Sequence, residues 1–261
     1  MVSRVAKRTL ATLRDIYTAR YFHDPRRGPR YRGVYPTYEA AVSALPKNVL
    51  HGFDDESVPE YFEKHLLAFN PGDYPVLFWL QRMLLPNSTI FDFGGGLGQC
   101  FYAYQEMLQF PPEVQWTVCD VEAMVKRGGE FAQKRGARNL HFTTDRQAAS
   151  GVTFFLTNGT LQYVPEDLPQ LLSGLTALPQ YLLINRVPMY EGKSYYTIQS
   201  SAHSYSPYRI FNTREFITQL RSIGYELGGE WKLPRGLHVQ FHAEISVESY
   251  KGLYFYRKGD H

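Results

Sequence analysis

The chain has 261 residues, 44% hydrophobic and 20% charged, enough for one globular domain with a sizeable core. Its two cysteines, Cys100 and Cys119, offer neither a disulfide framework nor zinc spacing, so reduced thiols are the simplest expectation. The net charge of +3 is unevenly spread: residues 1–32 carry nine Lys and Arg against Asp15 and Asp24, a net of +7, which leaves the remainder at −4. An acidic remainder offers no extended basic stripe, which argues against a nucleic-acid partner.

In chain order, Val2, Val5, Ala6, Leu10, Leu13, Ile16, Tyr17 and Tyr21 recur at helical spacing and predict a basic amphipathic helix within residues 1–32. Such a segment either packs on the domain with a solvated basic face, or touches anionic lipid or a partner. A loop rich in Arg, Pro and Gly follows over 25–33. Helices are expected at 37–45, 58–70 and 75–85, so that 33–86 reads as a helical cap ahead of a core over 87–261. The apolar run at 74–85 is interrupted by Gln81 and Arg82, short of the ~18 apolar residues of a membrane span. The N-terminus lacks the apolar segment of a signal peptide. The expected location is cytoplasmic, with residues 1–32 a candidate for peripheral contact at the inner membrane face.

From residue 89 the pattern alternates. Strands are expected at 89–93, 114–120, 139–143, 152–157 and 181–185, with helices at 98–109, 121–135 and 165–178 between them. Short apolar strands alternating with helices predict a mostly parallel sheet covered on both faces. A helix at 213–223 opens on an Asn212/Thr213 cap with Glu215 nearby and stops at Gly224. Two strands, 225–232 and 249–257, follow without a long helix between them and predict an antiparallel pair.

The motif Phe91-Asp92-Phe93-Gly94-Gly95-Gly96-Leu97-Gly98 lies between a strand and a helix, the context that gives a glycine loop meaning. Glycines at 94, 96 and 98 let the backbone turn sharply and come close to a ligand. A dinucleotide fingerprint would place a third small residue at Gln99, and a Walker loop would need Gly-Lys-Ser/Thr. The pattern acid-x-G-x-G-x-G favours S-adenosylmethionine as cofactor, held by Asp92, Gly94, Gly95, Gly96 and Gly98. Asp120 closes the next strand, placed to accept from ribose hydroxyls, to cap the following helix, or both. Asp145 ends the third strand, where it meets the adenine amino group or is an exposed turn carboxylate.

These residues resemble class I S-adenosylmethionine-dependent methyltransferases. More narrowly, the chain is similar to a family of methyltransferases encoded among surface-polysaccharide biosynthesis genes. The likeness is carried by Gly33-Val34-Tyr35 with Tyr38-Glu39-Ala40, the turn 91–98, Gly159-Thr160-Leu161-Gln162-Tyr163, Asn185-Arg186, Gln199, the 214–224 helix with Tyr225, and Gly252-Leu253. It implies a Rossmann-like α/β sheet, mostly parallel with an antiparallel terminal pair, plus a helical N-terminal extension. It also implies transfer of a methyl group from S-adenosylmethionine. Gly151-Val152 departs from relatives that carry an acid at the start of the fourth strand.

Cofactor and substrate groups belong at the carboxyl ends of such strands. That brings in Asn158 and Gly159 for the cofactor and Tyr163, Arg186 and Tyr208 for the substrate. A sugar hydroxyl needs help losing its proton, and His203 or His238 is a candidate base. His238, His242 and Glu244 are too loosely spaced to call for a metal. Arg186 clamps an acceptor phosphate or carboxylate, or else braces a loop in an ion pair. The expected acceptor is a saccharide or nucleotide-linked sugar hydroxyl. Another small molecule, or a non-catalytic module docking to a membrane-associated assembly, are the alternatives.

Overall fold

The computed structural model describes residues 4–22, 24, 29–47, 52, 63, 68–201 and 204–259. The expected helix at 58–70 and the start of the 25–33 loop fall mainly outside these residues. The chain runs α1 (Arg4–Ala19), β1 (Arg30–Tyr35), α2 (Tyr38–Ser43), α3 (Tyr74–Met83), β2 (Thr89–Phe93), α4 (Gln99–Gln105), β3 (Gln115–Cys119) and α5 (Glu122–Arg135). It continues with β4 (Leu140–Thr143), β5 (Phe154–Asn158), α6 (Leu168–Ser173), β6 (Tyr181–Tyr190), β7 (Tyr195–Ser200) and β8 (Tyr205–Asn212). The last elements are α7 (Thr213–Ser222), β9 (Tyr225–Leu233), β10 (Val239–Gln240) and β11 (Tyr250–Arg257).

The core sheet has the order β4-β3-β2-β5-β6-β11-β9. Its first five strands are parallel, and β11 is antiparallel to both β6 and β9. Neighbouring residues of one strand enter opposite cores, as the pleat demands. Ile90, Phe154 and Leu183 face the side covered by α3, α4 and α5, with Trp116 and Phe101. Phe91, Phe155 and Leu182 face the side covered by α6 and α7, with Leu172, Phe216 and Leu220. Each such side chain, fully buried, contributes about 1.5–3 kcal/mol, which is why these strands read as continuous apolar runs.

Chain direction across the sheet reverses between β2 and β5. The strands wind outward from β2 to β4, then return to β5 and β6. This switch point opens a crevice at the strands' carboxyl ends.

A second sheet grows from the far end of β6. Met189 and Tyr190 leave the core sheet and pair in parallel with Phe211 and Asn212 of β8. From there the order runs β8-β7-β1-β10. This lid has its own core of Tyr31, Tyr195, Tyr208, Ile210, Leu233, Val239 and Tyr250. The region expected to be a helical cap therefore begins with a strand, and β7, β8 and β10 form where the sequence predicts no strand. Helix α7 is capped as its sequence predicts, the Asn212 side chain accepting from the Glu215 N–H at 2.7 Å.

Candidate active site

The turn after β2 has left-handed backbone at three of its glycines, with φ of 72°, 59° and 87° at Gly94, Gly96 and Gly98. A Cβ on Gly94 would lie 2.2 Å from the Thr160 side chain, which donates to the Gly94 carbonyl at 3.2 Å. One on Gly95 would lie 2.5 Å from the Asp92 carboxylate. Side chains there would break the turn whatever it holds. Asp120, just past β3, accepts the Gly96 N–H at 2.7 Å through Oδ2 and the Val121 N–H at 2.8 Å through Oδ1. It both fixes the turn and caps the approach to α5, and a carboxylate bonded twice keeps acceptor capacity for hydroxyls.

Beneath the turn lies a buried polar cluster. Asp92 and Asn158 end β2 and β5 on the face covered by α4. Asp92 is fully buried; Trp116 Nε1 donates to its Oδ2 at 3.2 Å, and its Oδ1 has no partner among the described residues. Burial pushes its carboxyl up to about 7, opposed by the Trp116 hydrogen bond and reinforced by the charges of Asp120 and Asp73. Asn158 donates to Cys100 Sγ at 3.4 Å and to Tyr104 Oη at 3.3 Å, leaving its Oδ1 without a donor among the described residues. Burial likewise raises the Cys100 thiol and the Tyr104 phenol, keeping both neutral. Gly159 turns with φ 80°, and its carbonyl accepts from Gln162, whose Oε1 is a third buried acceptor lacking a donor among the described residues.

At the rim, Asp73 is 4% exposed and accepts from Arg186 at 2.6 Å and from Asn185 at 3.0 Å. Asn185 in turn accepts from Trp231 Nε1 at 2.9 Å. That indole lies across β11 at Gly252, where a Cβ would meet it at 2.0 Å, so Gly252 makes the contact possible. Arg186 itself has φ 58°, unusual for a side-chain-bearing residue, and its ion pair with Asp73 is the bracing alternative raised from sequence.

The predicted residues divide between two regions. Asp92, Gly94, Gly95, Gly96, Gly98, Asp120, Asn158, Gly159 and Arg186 gather at the switch point. Asp145 stands at the end of β4, exposed, accepting the Gln147 N–H at 2.8 Å as the cap of a short 3-10 turn. Tyr163 donates to Gln199 at 2.9 Å, and Gln199 donates to Tyr31 at 3.0 Å. Tyr208 is corrected by its surroundings: it is 1% exposed, bonded to the Tyr250 hydroxyl at 2.8 Å, with its ring edge-on to Tyr163. That puts it inside the lid core rather than on a surface an acceptor would meet. His238 is held at both nitrogens, donating to Asp15 Oδ1 at 2.8 Å and lying 3.3 Å from Ser246 Oγ. It therefore anchors α1, which a free base would not do. His203 lies outside the described residues.

Sequence reasoning missed Asp73, Cys100, Tyr104 and Trp231, and named Gln162 only within the Gly159–Tyr163 segment that carries the resemblance. A cleft of about 480 Å³, lined by Phe110, Val114, Arg138 and Asn139, opens at the amino ends of β3 and β4, away from this cluster.

The strand order, with a glycine turn at its switch point, defines the fold of class I S-adenosylmethionine-dependent methyltransferases. Among solved structures, the chain is similar to 1,6-didemethyltoxoflavin-N1-methyltransferase from Burkholderia thailandensis, determined with bound 1,6-didemethyltoxoflavin and S-adenosylhomocysteine. The two share 16% identity at a TM-score of 0.52, over 88% of this chain and 99% of that one. It is also similar to an S-adenosylmethionine-dependent methyltransferase from Clostridium acetobutylicum, with 9% identity, a TM-score of 0.51, and 78% and 98% covered. No family model matches the chain, and no curated protein does.

Proposed function

We propose that this protein transfers the methyl group of S-adenosylmethionine to a hydroxyl of a saccharide or nucleotide-linked sugar. The observation that carries the cofactor half is the glycine turn facing Asp120 above three buried acceptors, on Asp92, Asn158 and Gln162, that lack donors among the described residues. Buried acceptors without donors fit a ligand bearing an ammonium, a sulfonium and ribose hydroxyls. S-adenosylmethionine, when bound, supplies an electrophilic methyl group on sulfur.

The chain's own residues bind and orient. The open backbone of the turn allows close approach, Asp120 receives the ribose hydroxyls, and the Asp92 carboxylate receives the ammonium. Arg186, held by Asp73, presents the rest of its guanidinium toward an anionic group of the acceptor. The lid formed by β1, β7, β8 and β10 excludes water from an in-line displacement. A hydroxyl acceptor would have to give its proton to a base, and His203, which lies outside the described residues, is the histidine candidate for that role. The saccharide half of the reading is supported by the resemblance carried by Leu161-Gln162-Tyr163 and Asn185-Arg186.

Calorimetric titration with S-adenosylmethionine and with NAD, on the native chain and on Asp120→Ala, tests the cofactor. One-to-one binding of S-adenosylmethionine, weakened in the variant, is expected; binding of NAD alone would overturn the reading. Transfer of a labelled methyl group to a panel of nucleotide sugars then tests the acceptor.

A further inference from the structure

Helix α1 meets the body through its polar side. Asp15, 2% exposed, accepts from the Phe241 N–H at 2.8 Å as well as from His238. One turn on, Gln240 donates to the Thr18 hydroxyl at 3.2 Å and Arg30 to the Thr18 carbonyl at 3.3 Å. An amphipathic helix that simply packs on a domain turns its apolar stripe inward. Here Leu10, Leu13, Ile16 and Tyr17, spaced to share one face, are between 54% and 63% exposed. The docking face is taken up by hydrogen bonds, and the apolar face points away from it.

We propose that this outward stripe seats α1 on an anionic lipid surface. Charge selects that occupant. The first 32 residues carry a net of +7 and the remainder −4, so an anionic surface attracts the helix and repels the body, which fixes the orientation. A second copy of the chain, stripe against stripe, would bring two +7 segments together. Arg14 is 57% exposed beside the stripe, and the Arg20 guanidinium lies 4.1 Å from the centre of the Tyr17 ring and 4.5 Å from that of Tyr21. An aromatic ring paired with a cation suits the boundary between acyl chains and headgroups. With 16 residues, α1 is shorter than the ~20 needed to span a bilayer, so it lies in the interface.

The test is co-sedimentation of the full chain with phosphatidylcholine vesicles, with and without phosphatidylserine, against a Leu13→Glu/Ile16→Glu double variant. The native chain is expected to partition onto the phosphatidylserine vesicles only, and to be released by high salt. The double variant should partition about 100-fold more weakly, each buried apolar side chain being worth roughly tenfold. Both positions are exposed, so its melting temperature and S-adenosylmethionine affinity should match those of the native chain. Leu13→Gln, milder in charge, should fall between. The proposal is overturned if the native chain ignores anionic vesicles, or if the double variant binds them equally well. It is also overturned if light scattering shows a native dimer that the double variant dissolves, for then a second copy covers the stripe.

Discussion

Asp92 offers a test in which the sign is fixed before the measurement. In the folded chain its carboxyl holds a proton up to about pH 7, because it is buried with one oxygen lacking a donor among the described residues. In the unfolded chain it ionises near the ordinary carboxyl value of 3.8. Between these limits the native state binds more protons, so stability falls as pH rises. The penalty is absent below about pH 4 and complete above about pH 7, with an upper bound of about 4 kcal/mol at 1.36 kcal/mol per unit. Asp92→Asn keeps an acceptor for Trp116 and removes the titration. In urea denaturation the two proteins should agree near the acid end. The variant should become the more stable by about 2–4 kcal/mol at the alkaline end. Cofactor binding should respond in the opposite sense. A cationic ligand draws on the ionised carboxylate, so calorimetric affinity of the native chain should fall about tenfold per unit below about pH 7, and the variant should bind weakly with no such slope. A stability difference that is flat across this window would refute the assigned ionisation. A native affinity as flat as the variant's would refute the pairing of Asp92 with the ligand.

Three further outcomes follow from contacts in the same region. Gly94→Ala places a methyl group 2.2 Å from Thr160 on backbone with φ 72° and should cost at least about 2 kcal/mol in urea denaturation, with cofactor affinity reduced more than about tenfold. Asp73→Ala removes the acceptor shared by Asn185 and Arg186 and should lower stability by about 2–3 kcal/mol, whereas Asp73→Asn, which retains an oxygen acceptor, should cost less. Tyr250→Phe deletes a hydroxyl 2.8 Å from that of Tyr208 and 3.3 Å from that of Tyr31, and should cost about 1–2 kcal/mol; hydrogen exchange should localise the loss to β1 and β8.

What the sequence discloses depends on how locally each feature is encoded. Strands β2, β5 and β6 are buried almost throughout and stand out as apolar runs between turn residues. The glycine turn carries its own backbone requirement in its residue types, and Asp120 lies at a set distance beyond it. The lid has no such signature. In β1, Arg30–Tyr35, only Tyr31 is buried, and the arginines and Gly33 read as loop. In β7 all six residues are buried, which erases alternation, and β8 contains Pro207. The rim of the site is harder still to read. Asp73 sits in a turn 113 positions before Arg186, and Trp231 reaches Asn185 only because Gly252, on another strand, leaves room. His238 reads in the sequence as a candidate base, and its partner Asp15 lies 223 positions earlier. Nothing in either local segment announces those pairings.

Two buried carboxylates, Asp15 and Asp92, differ in how they are satisfied, and the contrast says where binding energy is available. At the α1 anchor the buried Asp15 carboxylate is bonded through both oxygens, to His238 and to the Phe241 amide. At the switch point, acceptors on Asp92, Asn158 and Gln162 are buried without donors among the described residues, each at a cost of about 1–3 kcal/mol. A buried carboxylate with one oxygen lacking a donor among the described residues, accompanied by two further acceptors in the same state, destabilises the fold there. A ligand that brings donors removes that cost on binding. The crevice is thereby biased toward cationic, hydroxyl-bearing molecules before any substrate-specific contact is made, and apolar isosteres lacking those donors should be rejected.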